Sequence, residues 1–157
     1  MQKITPFLWF DGNAEEAVNF YTSIFKNSKI GKISRYEDVG AGPVSTVLVI
    51  TFELNGREFM AINGGPMFKF TEAISFVVNC ERQEEVDLYW GKLSEGGQEV
   101  QCGWLKDKFG LSWQIVPTIL DKLMSDPDPK KSKRVMDVML KMVKIDIAAL
   151  QHAYDQE

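Results

Sequence analysis

Two segments of the chain repeat one pattern at a constant offset of 69 residues. Residues 7–25 read FLWFDGNAEEAVNFYTSIF, and residues 76–94 read FVVNCERQEEVDLYWGKLS. In each segment a short β-forming apolar run precedes a polar break, a pair of glutamates and a stretch with apolar residues at helical spacing. Asn13 marks the entry of the first helix, and the early carboxylates suit a helix N-terminus. The repeat predicts two similar modules, each beginning with a strand and an amphipathic helix.

Three strand patterns follow the first predicted helix. Alternating apolar residues predict strands over residues 32–37, 45–54 and 58–63. Asn55-Gly56, between the last two strands, has the composition of a tight hairpin turn. The first half of the chain is therefore predicted to be a βαβββ module.

The second half repeats this order in a shortened form. Gly96-Gly97 ends its helix, residues 98–105 form one predicted strand, and residues 111–116 form the last. Residues 107–110 are the turn between those two strands. We therefore predict an α+β fold in which two βαβββ modules face one another across a shared concavity, with a helical appendage after them.

The pattern divides the chain into three predicted parts. The first module spans residues 1–65, the second spans residues 66–118, and the linker GGPMFKF begins at Gly64. The third part, residues 119–157, is a helical tail. Its predicted helices cover residues 119–124, 132–142 and 145–154.

Two features of the tail have ordinary structural explanations. Asp128 or Ser132 can cap the middle helix. The basic run at residues 130–134 is predicted to be a solvated helix face. An apolar stripe on the middle helix is predicted to pack against the rest of the tail, and consists of Val135, Met136, Met139, Leu140 and Val143.

Composition excludes several classes of protein. With 18 Lys and Arg against 22 Asp and Glu, the formal net charge is −4, so we expect no nucleic-acid partner. No apolar run approaches the roughly 20 residues that a membrane span needs, and the first ten residues lack the apolar core of a signal peptide. We therefore expect a cytoplasmic protein without a membrane partner. Cys80, Cys102 and a single histidine are too few for a disulfide scaffold or a cysteine-based zinc site.

Three stretches carry a resemblance to a known family. They are GGPMFKFTEAISFVVNCE, CGWLKDKFGLSWQIVP and MLKMVKIDIAALQ, beginning at Gly64, Cys102 and Met139. With the duplicated βαβββ pattern, they make the chain resemble the PhnB-like family of the vicinal oxygen chelate superfamily. That superfamily includes glyoxalase I, bleomycin resistance proteins and extradiol dioxygenases. The resemblance implies a concave sheet of the glyoxalase and bleomycin-resistance type and a homodimer. The label that family members commonly carry is 3-demethylubiquinone-9 3-methyltransferase.

The resemblance also implies where metal ligands would stand. Metal-using members of the superfamily take His, Glu or Gln ligands from the first and last strands of each module. In this chain three of the four positions carry poor donors, and only Gln114 is one of these ligand types, although Glu58 lies near one of the other positions. The remaining candidates are Thr5 or Pro6, Ala73 or Ser75, and Met60 or Ala61. A divalent cation needs three or four ligands, so no metal ion and no other cofactor is predicted.

The side chains expected to line the concavity are aromatic and apolar, with a few polar groups. Such a lining suits a flat or apolar small molecule held by stacking and a few directed hydrogen bonds. Trp113 and Gln114 must lie on opposite faces of their strand, and Gln114 is preferred because it occupies a superfamily ligand position. The predicted ligand-binding residues are Phe7, Trp9, Met60, Asn63, Phe76, Trp104 and Gln114.

The sequence indicates no catalytic residue. Cys102 stands in a polar segment with Lys106, Asp107 and Lys108, but no histidine lies near it to activate a thiolate. The segment is more simply a hairpin turn. His152, on the terminal helix, is expected to be a solvated imidazole.

The methyltransferase label can be compared with the residues. A Rossmann-type methyltransferase needs a glycine-rich loop between a strand and a helix, and the nearest candidate, residues 40–43 (GAGP), precedes a strand instead. We therefore predict a small-molecule binding protein with a metal-free cavity. The alternatives are an enzyme, either such a methyltransferase or a metal-dependent glyoxalase- or dioxygenase-like enzyme using Glu58 and Gln114, and an interaction module with the tail as its contact surface.

Overall fold

The structure, a computed structural model, describes residues 2–36 and 47–156 and divides the chain into two compact units, Met1–Phe70 and Thr71–Glu157. Glu37 and Ser45, at the ends of two predicted strands, and the segment 40–43 lie outside the described residues. Among those described, no helix is long and apolar enough to cross a bilayer. The first unit contains β1 (Phe7–Phe10), α1 (Ala14–Ile24), β2 (Lys29–Arg35), β3 (Val47–Leu54) and β4 (Arg57–Asn63).

The first unit is one mixed four-stranded sheet in the order β1-β4-β3-β2. Strand β1 runs parallel to β4, and the other pairs are antiparallel. Asn55 and Gly56 have φ angles of +49° and +78°, which confirms the tight turn between β3 and β4. Strand β2 begins at Lys29 rather than at the predicted Lys32, and its register against β3 is broken after Ile30.

Helix α1 packs its apolar stripe onto one face of this sheet. Its buried residues are spaced three and four apart, as the sequence predicted, and include Ala17, Val18 and Tyr21. The cap of the helix differs from the prediction, because the Asn13 side chain makes no capping hydrogen bond. Instead the Ala14 N–H donates to Asn63 Oδ1 at 2.9 Å, so a residue of β4 satisfies the first turn of the helix.

The second unit repeats the same topology. Its sheet has the order β5-β8-β7-β6, with β5 parallel to β8 as β1 is to β4. The prediction of a single strand over residues 98–105 is wrong, because a tight turn at Cys102-Gly103 divides it. The second module is therefore a full βαβββ unit. Its elements are β5 (Ser75–Cys80), α2 (Gln83–Ser94), β6 (Gln98–Glu99), β7 (Trp104–Lys106) and β8 (Ser112–Pro117).

The repeat offset is constant in the helices but changes in the first strands. At an offset of 69, the buried Tyr21 of α1 corresponds to the buried Trp90 of α2. In the strands, the last buried residue before the helix is Phe10 in β1 and Cys80 in β5, an offset of 70. The connection to α1 has one more residue than the connection to α2, and it contains Gly12 with φ +82°. A one-residue shift moves a strand side chain to the opposite face.

The tail forms three helices with a small core of their own. These are α3 (Thr118–Met124), α4 (Pro129–Met139) and α5 (Ile147–Asp155), and Asp128, one of the two predicted caps, accepts the Lys130 N–H. The predicted packing stripe holds for Val135, which is fully buried, but Leu140 and Val143 follow the end of α4 and are exposed. The buried residues of this core are Leu123, Val135, Ile145 and Leu150.

Two groups of hydrogen bonds attach the tail to the second module. The Cys102 and Gly103 N–H groups, in the turn between β6 and β7, donate to the carbonyls of Met142 and Val143. On α2, the Gln83 amide donates to the Ile145 carbonyl and accepts the Ile147 N–H at 2.8 Å. The tail is therefore an integral part of the second unit.

Candidate functional site

Each sheet has one face covered by a helix and one face opposite to it, which we call the distal face. In the first sheet the strand register places Phe7, Met60 and Thr51 side by side on the distal face. Trp9 and Ile62 form the next row of the same face. Phe7 and Met60 thus share the face that the sequence predicted to be ligand-binding, and half of the Phe7 surface is exposed.

Trp9 has a structural partner on the distal face. Its indole N–H donates to the Gly65 carbonyl at 2.9 Å, and its ring meets Phe68 edge-on at a centroid distance of 4.9 Å. A side chain at Gly64 would overlap the Trp9 ring. Trp9 therefore orders the start of the segment after β4.

Asn63 also has a structural role. Its side chain is 95% buried, its oxygen accepts the Ala14 N–H, and its nitrogen donates to the Val47 carbonyl at 2.9 Å. The amide joins α1 to β3. Both of its ends are thereby engaged within the first unit, so we do not retain Asn63 in the proposed site.

In the second sheet the distal face carries two adjacent rows. Val77, Gln114 and Trp104 stand opposite one another on β5, β8 and β7. Gln114 Nε2 donates to Ser75 Oγ at 2.9 Å, which fixes the amide plane within the sheet. Gln114 and Trp104, two of the predicted residues, are thus brought together.

The other row of this face was missed by the sequence analysis. Ser75, Ser112 and Lys106 stand opposite one another on the same three strands. The Lys106 ammonium forms an ion pair with Glu72, just before β5. Through this hydrogen-bonded contact Lys106 holds the pKa of the Glu72 carboxyl below its usual value. Only the strand register could have shown that Lys106 and Ser75 lie on the two sides of Ser112.

Phe76 lies on the opposite face from Gln114. Its register partner is Trp113, and the two rings lie 5.6 Å apart on the side of the sheet that carries α2. The predicted placement of Phe76 in the concavity followed from the constant repeat offset, which fails in this strand by one residue. Val77 occupies the position that Phe7 has in the first sheet.

Asp107, in the polar segment after β7, is a buried structural group. Its carboxylate accepts the Phe109 and Leu111 N–H groups and the Trp113 indole N–H, at 2.8, 3.1 and 2.9 Å. The turn predicted at residues 107–110 is therefore built around this side chain. Lys106 faces away from it, toward the distal face.

The described side chains do not fit a divalent metal ion. Nowhere in residues 2–36 and 47–156 do three or more His, Cys, Asp or Glu side chains converge as a ligand set. Glu58 stands opposite Glu53 at the end of the distal face, and Lys29 already lies 3.7 Å from the Glu53 carboxylate. These residues line a depression of about 220 Å³ together with Thr51. Two carboxylates beside an ammonium are a poor ligand set for a cation.

A comparison with protein-family models identifies the family. The model described as 3-demethylubiquinone-9 3-methyltransferase matches residues 2–116. The chain belongs to this PhnB-like family. The comparison with curated protein sequences gave no match.

Solved structures support the PhnB-like assignment. A PhnB protein from Bacillus cereus is 46% identical, with a TM-score of 0.69, over 74% of this chain and 100% of that chain. Protein PA1353 from Pseudomonas aeruginosa is 19% identical, with a TM-score of 0.63, over 74% of this chain and 98% of that chain. The fosfomycin resistance protein FosX from Listeria monocytogenes, complexed with Mn(II) and sulfate, is 17% identical, with a TM-score of 0.53, over 78% of this chain and 97% of that chain. The last two are less than 25% identical and show the fold alone, which is the predicted α+β fold with two four-stranded mixed sheets.

The two cysteines of this PhnB-like protein should differ in reactivity. Cys80 is fully buried, and burial raises the pKa of its thiol to about 11, with a further contribution from Glu85. Because the thiolate is the nucleophile, only about one Cys80 thiol in a thousand would be ionised at pH 8. Cys102 is half-buried in the turn before β7. We expect iodoacetamide at pH 8 to modify one cysteine per native chain, with peptide mass spectrometry locating the adduct on Cys102.

The denatured protein provides the control for this measurement. In about 6–8 M urea, a concentration high enough to unfold a small domain, both thiols should react at similar rates. Rapid modification of Cys80 in the native protein would contradict its burial.

His152, the only histidine, is exposed and contacts Gln156, so it has no catalytic partner among the described residues.

Proposed function

We propose that this PhnB-like protein binds a small aromatic or apolar molecule on the distal face of its second sheet. One observation carries the proposal: the Gln114 amide, held by Ser75, stands between the Trp104 ring and the exposed Val77. A mostly apolar and aromatic lining with one oriented polar group is the usual composition of a small-molecule site. Phe7 and Met60, two other predicted residues, form an apolar surface of their own on the distal face of the first sheet.

The Gln114 amide can direct the ligand as well as contact it. Its nitrogen is engaged with Ser75, and its oxygen makes no hydrogen bond with the described residues. That oxygen is therefore available to accept an N–H or O–H group of a bound molecule. Trp104, beside it in the same row, offers an aromatic surface for stacking.

We propose that binding requires no metal ion. Of the positions that the family resemblance implies for ligands, Gln114 and the neighbouring Glu58 alone carry good oxygen donors. Gln114 is held by Ser75, and Glu58 stands beside Glu53 and Lys29 on the other unit. This arrangement supports binding by stacking and hydrogen bonds.

We also propose that the protein is a homodimer. Strand β1 is an edge of the first sheet, and large apolar side chains are exposed before it, within it and after its partner strand β4. A second copy of the chain would remove this surface from water. The exposed residues are Ile4, Phe7, Met67 and Phe68.

The family description favours a second candidate, a methyltransferase that acts on demethylubiquinone. The strand-to-helix connections of the described chain argue against a Rossmann-type cofactor site. The one before α1 contains the single Gly12, and the one before α2 is Glu81-Arg82. Binding of S-adenosylmethionine would thus need another site, and calorimetric titration with that compound tests the candidate directly.

Native mass spectrometry tests the metal-free dimer. The protein is purified without a chelator or an affinity metal, and the mass of the intact assembly is measured. We expect twice the chain mass and no stoichiometric divalent cation. One cation per chain would contradict the proposal and favour a metal-dependent enzyme using Glu58 and Gln114. A monomer at micromolar concentration would contradict the dimer.

Titration with 2-naphthamide, a neutral flat aromatic probe, tests the site itself. We expect a dissociation constant of about 1 mM or below, with NMR shifts at the Trp104 indole and at Ser75. Gln114→Leu should weaken binding about tenfold, because one directed hydrogen bond is lost. Gln151→Leu, on helix α5 of the tail, is the matched control and should bind as the wild type does. Shifts confined to other surfaces would place the probe elsewhere and contradict the proposal.

A further inference from the structure

The row formed by Ser75, Ser112 and Lys106 holds hydrogen-bond donors that the fold does not use. Ser112 is 1% exposed, yet its hydroxyl has no hydrogen-bond partner among the described residues. A buried hydroxyl without a partner is unusual, because burial removes the water that would otherwise bind it. The Ser75 oxygen accepts from Gln114, and its own O–H donates to none of the described groups.

Lys106 supplies the third donor and a positive charge. It stands directly opposite Ser112 on β7, and its ammonium is paired with Glu72. Glu72 lies outside the strands, and more than half of its side chain is exposed. An ion pair with a largely exposed carboxylate is weak and screened by salt, so another carboxylate can replace it.

From these observations we propose that the row is a carboxylate subsite, so that the bound molecule is an aromatic or apolar carboxylic acid. The inference rests on the proposed function and names its ligand class. The carboxylate of the ligand displaces Glu72 from Lys106 and accepts the hydroxyl protons of Ser75 and Ser112. In the free protein Glu72, a carboxylate of the chain itself, pairs with the Lys106 ammonium until the ligand binds.

The geometry of the sheet connects this subsite to the stacking surface. Lys106 and Trp104 are two residues apart on β7, so their rows are separated by about 7 Å along the strand. A ring that lies against Trp104 therefore places an attached carboxylate beside Lys106.

A matched pair of probes separates this inference from the proposed function. 2-Naphthoate carries the carboxylate, and 2-naphthamide has the same ring and a neutral amide. Calorimetric or NMR titration should show 2-naphthoate binding about tenfold more tightly, since hydrogen bonds to a charged group are the stronger ones. Lys106→Met should remove this preference and leave the affinity for 2-naphthamide within about twofold. Glu72→Gln should increase the affinity for 2-naphthoate only.

Two further variants distinguish recognition from structure. Ser112→Ala removes the unpaired hydroxyl, so it should keep or raise the stability of the free protein while lowering the preference for 2-naphthoate. Lys29→Met removes a lysine that pairs with Glu53, on the distal face of the first sheet, and it should keep the wild-type preference. Far-UV circular dichroism verifies that each variant is folded.

The outcomes are distinct. Equal affinity for the two probes, or a preference that survives Lys106→Met, would overturn the carboxylate subsite while the proposed function stands. Failure of both probes to bind would overturn both. A tenfold preference that depends on Lys106 and Ser112, but not on Lys29, would establish the subsite.

Discussion

Replacement of Asp107 by alanine is expected to lower the free energy of unfolding by about 3–5 kcal/mol. The Asp107 carboxylate is buried and accepts three hydrogen bonds, from the Phe109 and Leu111 N–H groups and from the Trp113 indole. Alanine would leave all three donors without a partner where water has little access. Urea denaturation followed by tryptophan fluorescence and far-UV circular dichroism would measure the loss.

The asparagine variant separates shape from charge at this position. In Asp107→Asn the amide oxygen can still accept both backbone N–H groups, while its NH₂ faces the Trp113 donor. We therefore expect an intermediate loss of about 1–3 kcal/mol. Asp137→Ala, at an exposed ion pair on α4, should change stability by less than about 1 kcal/mol. Equal stability of Asp107→Ala and the wild type would show that the turn does not depend on this carboxylate.

The second large effect is expected from Gly97→Ala. A Cβ at residue 97 would overlap the Lys106 carbonyl oxygen and would lie 2.7 Å from the Asp107 carbonyl carbon. Both are main-chain atoms of the adjacent strand end, so no side-chain rotation can relieve the overlap. We expect a loss of more than about 3 kcal/mol, since β6 must separate from β7 or shift against it.

Gly91→Ala is the matched control for this prediction. Gly91 lies inside α2, and a Cβ there would meet no atom within 4 Å. Alanine has the higher helix propensity, so this variant should be more stable by about 0.5–1 kcal/mol. The same denaturation experiment therefore has two glycine substitutions with opposite expected signs. Destabilisation of equal size in both would contradict the steric explanation for Gly97.

The order of the elements could be predicted from the repeat, but the face of one strand could not. The helices follow the offset of 69, because Tyr21 and Trp90 must both enter the core under their sheets. One additional residue before α1 changes the offset in the strands and places Phe76 opposite to its predicted face. The local pattern of β5 favoured the observed face, because Ser75 and Asn79 are polar while Phe76, Val78 and Cys80 on the other face are apolar.

The divided strand of the second module was missed for a different reason. Residues 98–105 alternate like one strand, and the turn within them depends on Cys102 and Gly103 with φ angles of +59° and +82°. A Cβ at Gly103 would lie 3.0 Å from Ile145, and the turn donates to carbonyls of the tail. These contacts join distant parts of the chain, and a local pattern does not contain them.

The candidate site was only partly accessible to sequence reasoning. Gln114 could be selected because the family resemblance gives its position a meaning. Ser112 lies two residues before Gln114 on the same face of β8, but Lys106 could be placed beside Ser112 only when the register of β7 against β8 was known. Asn63 looked like a polar group in an apolar lining, but the N-terminus of α1 and the end of β3 both use it.

The Gln83 side chain has a consequence for how the tail opens. The Gln83 side-chain amide, on α2, donates to the Ile145 carbonyl and accepts the Ile147 N–H, so it replaces a backbone partner for both residues. As the first residue of α5, Ile147 has an N–H that the helix itself cannot satisfy. Exchange of that amide proton with solvent therefore requires its hydrogen bond to the Gln83 side chain, on another helix, to break. The exchange rate at Ile147 reports on the docking of the tail against α2, and not on the fraying of α5.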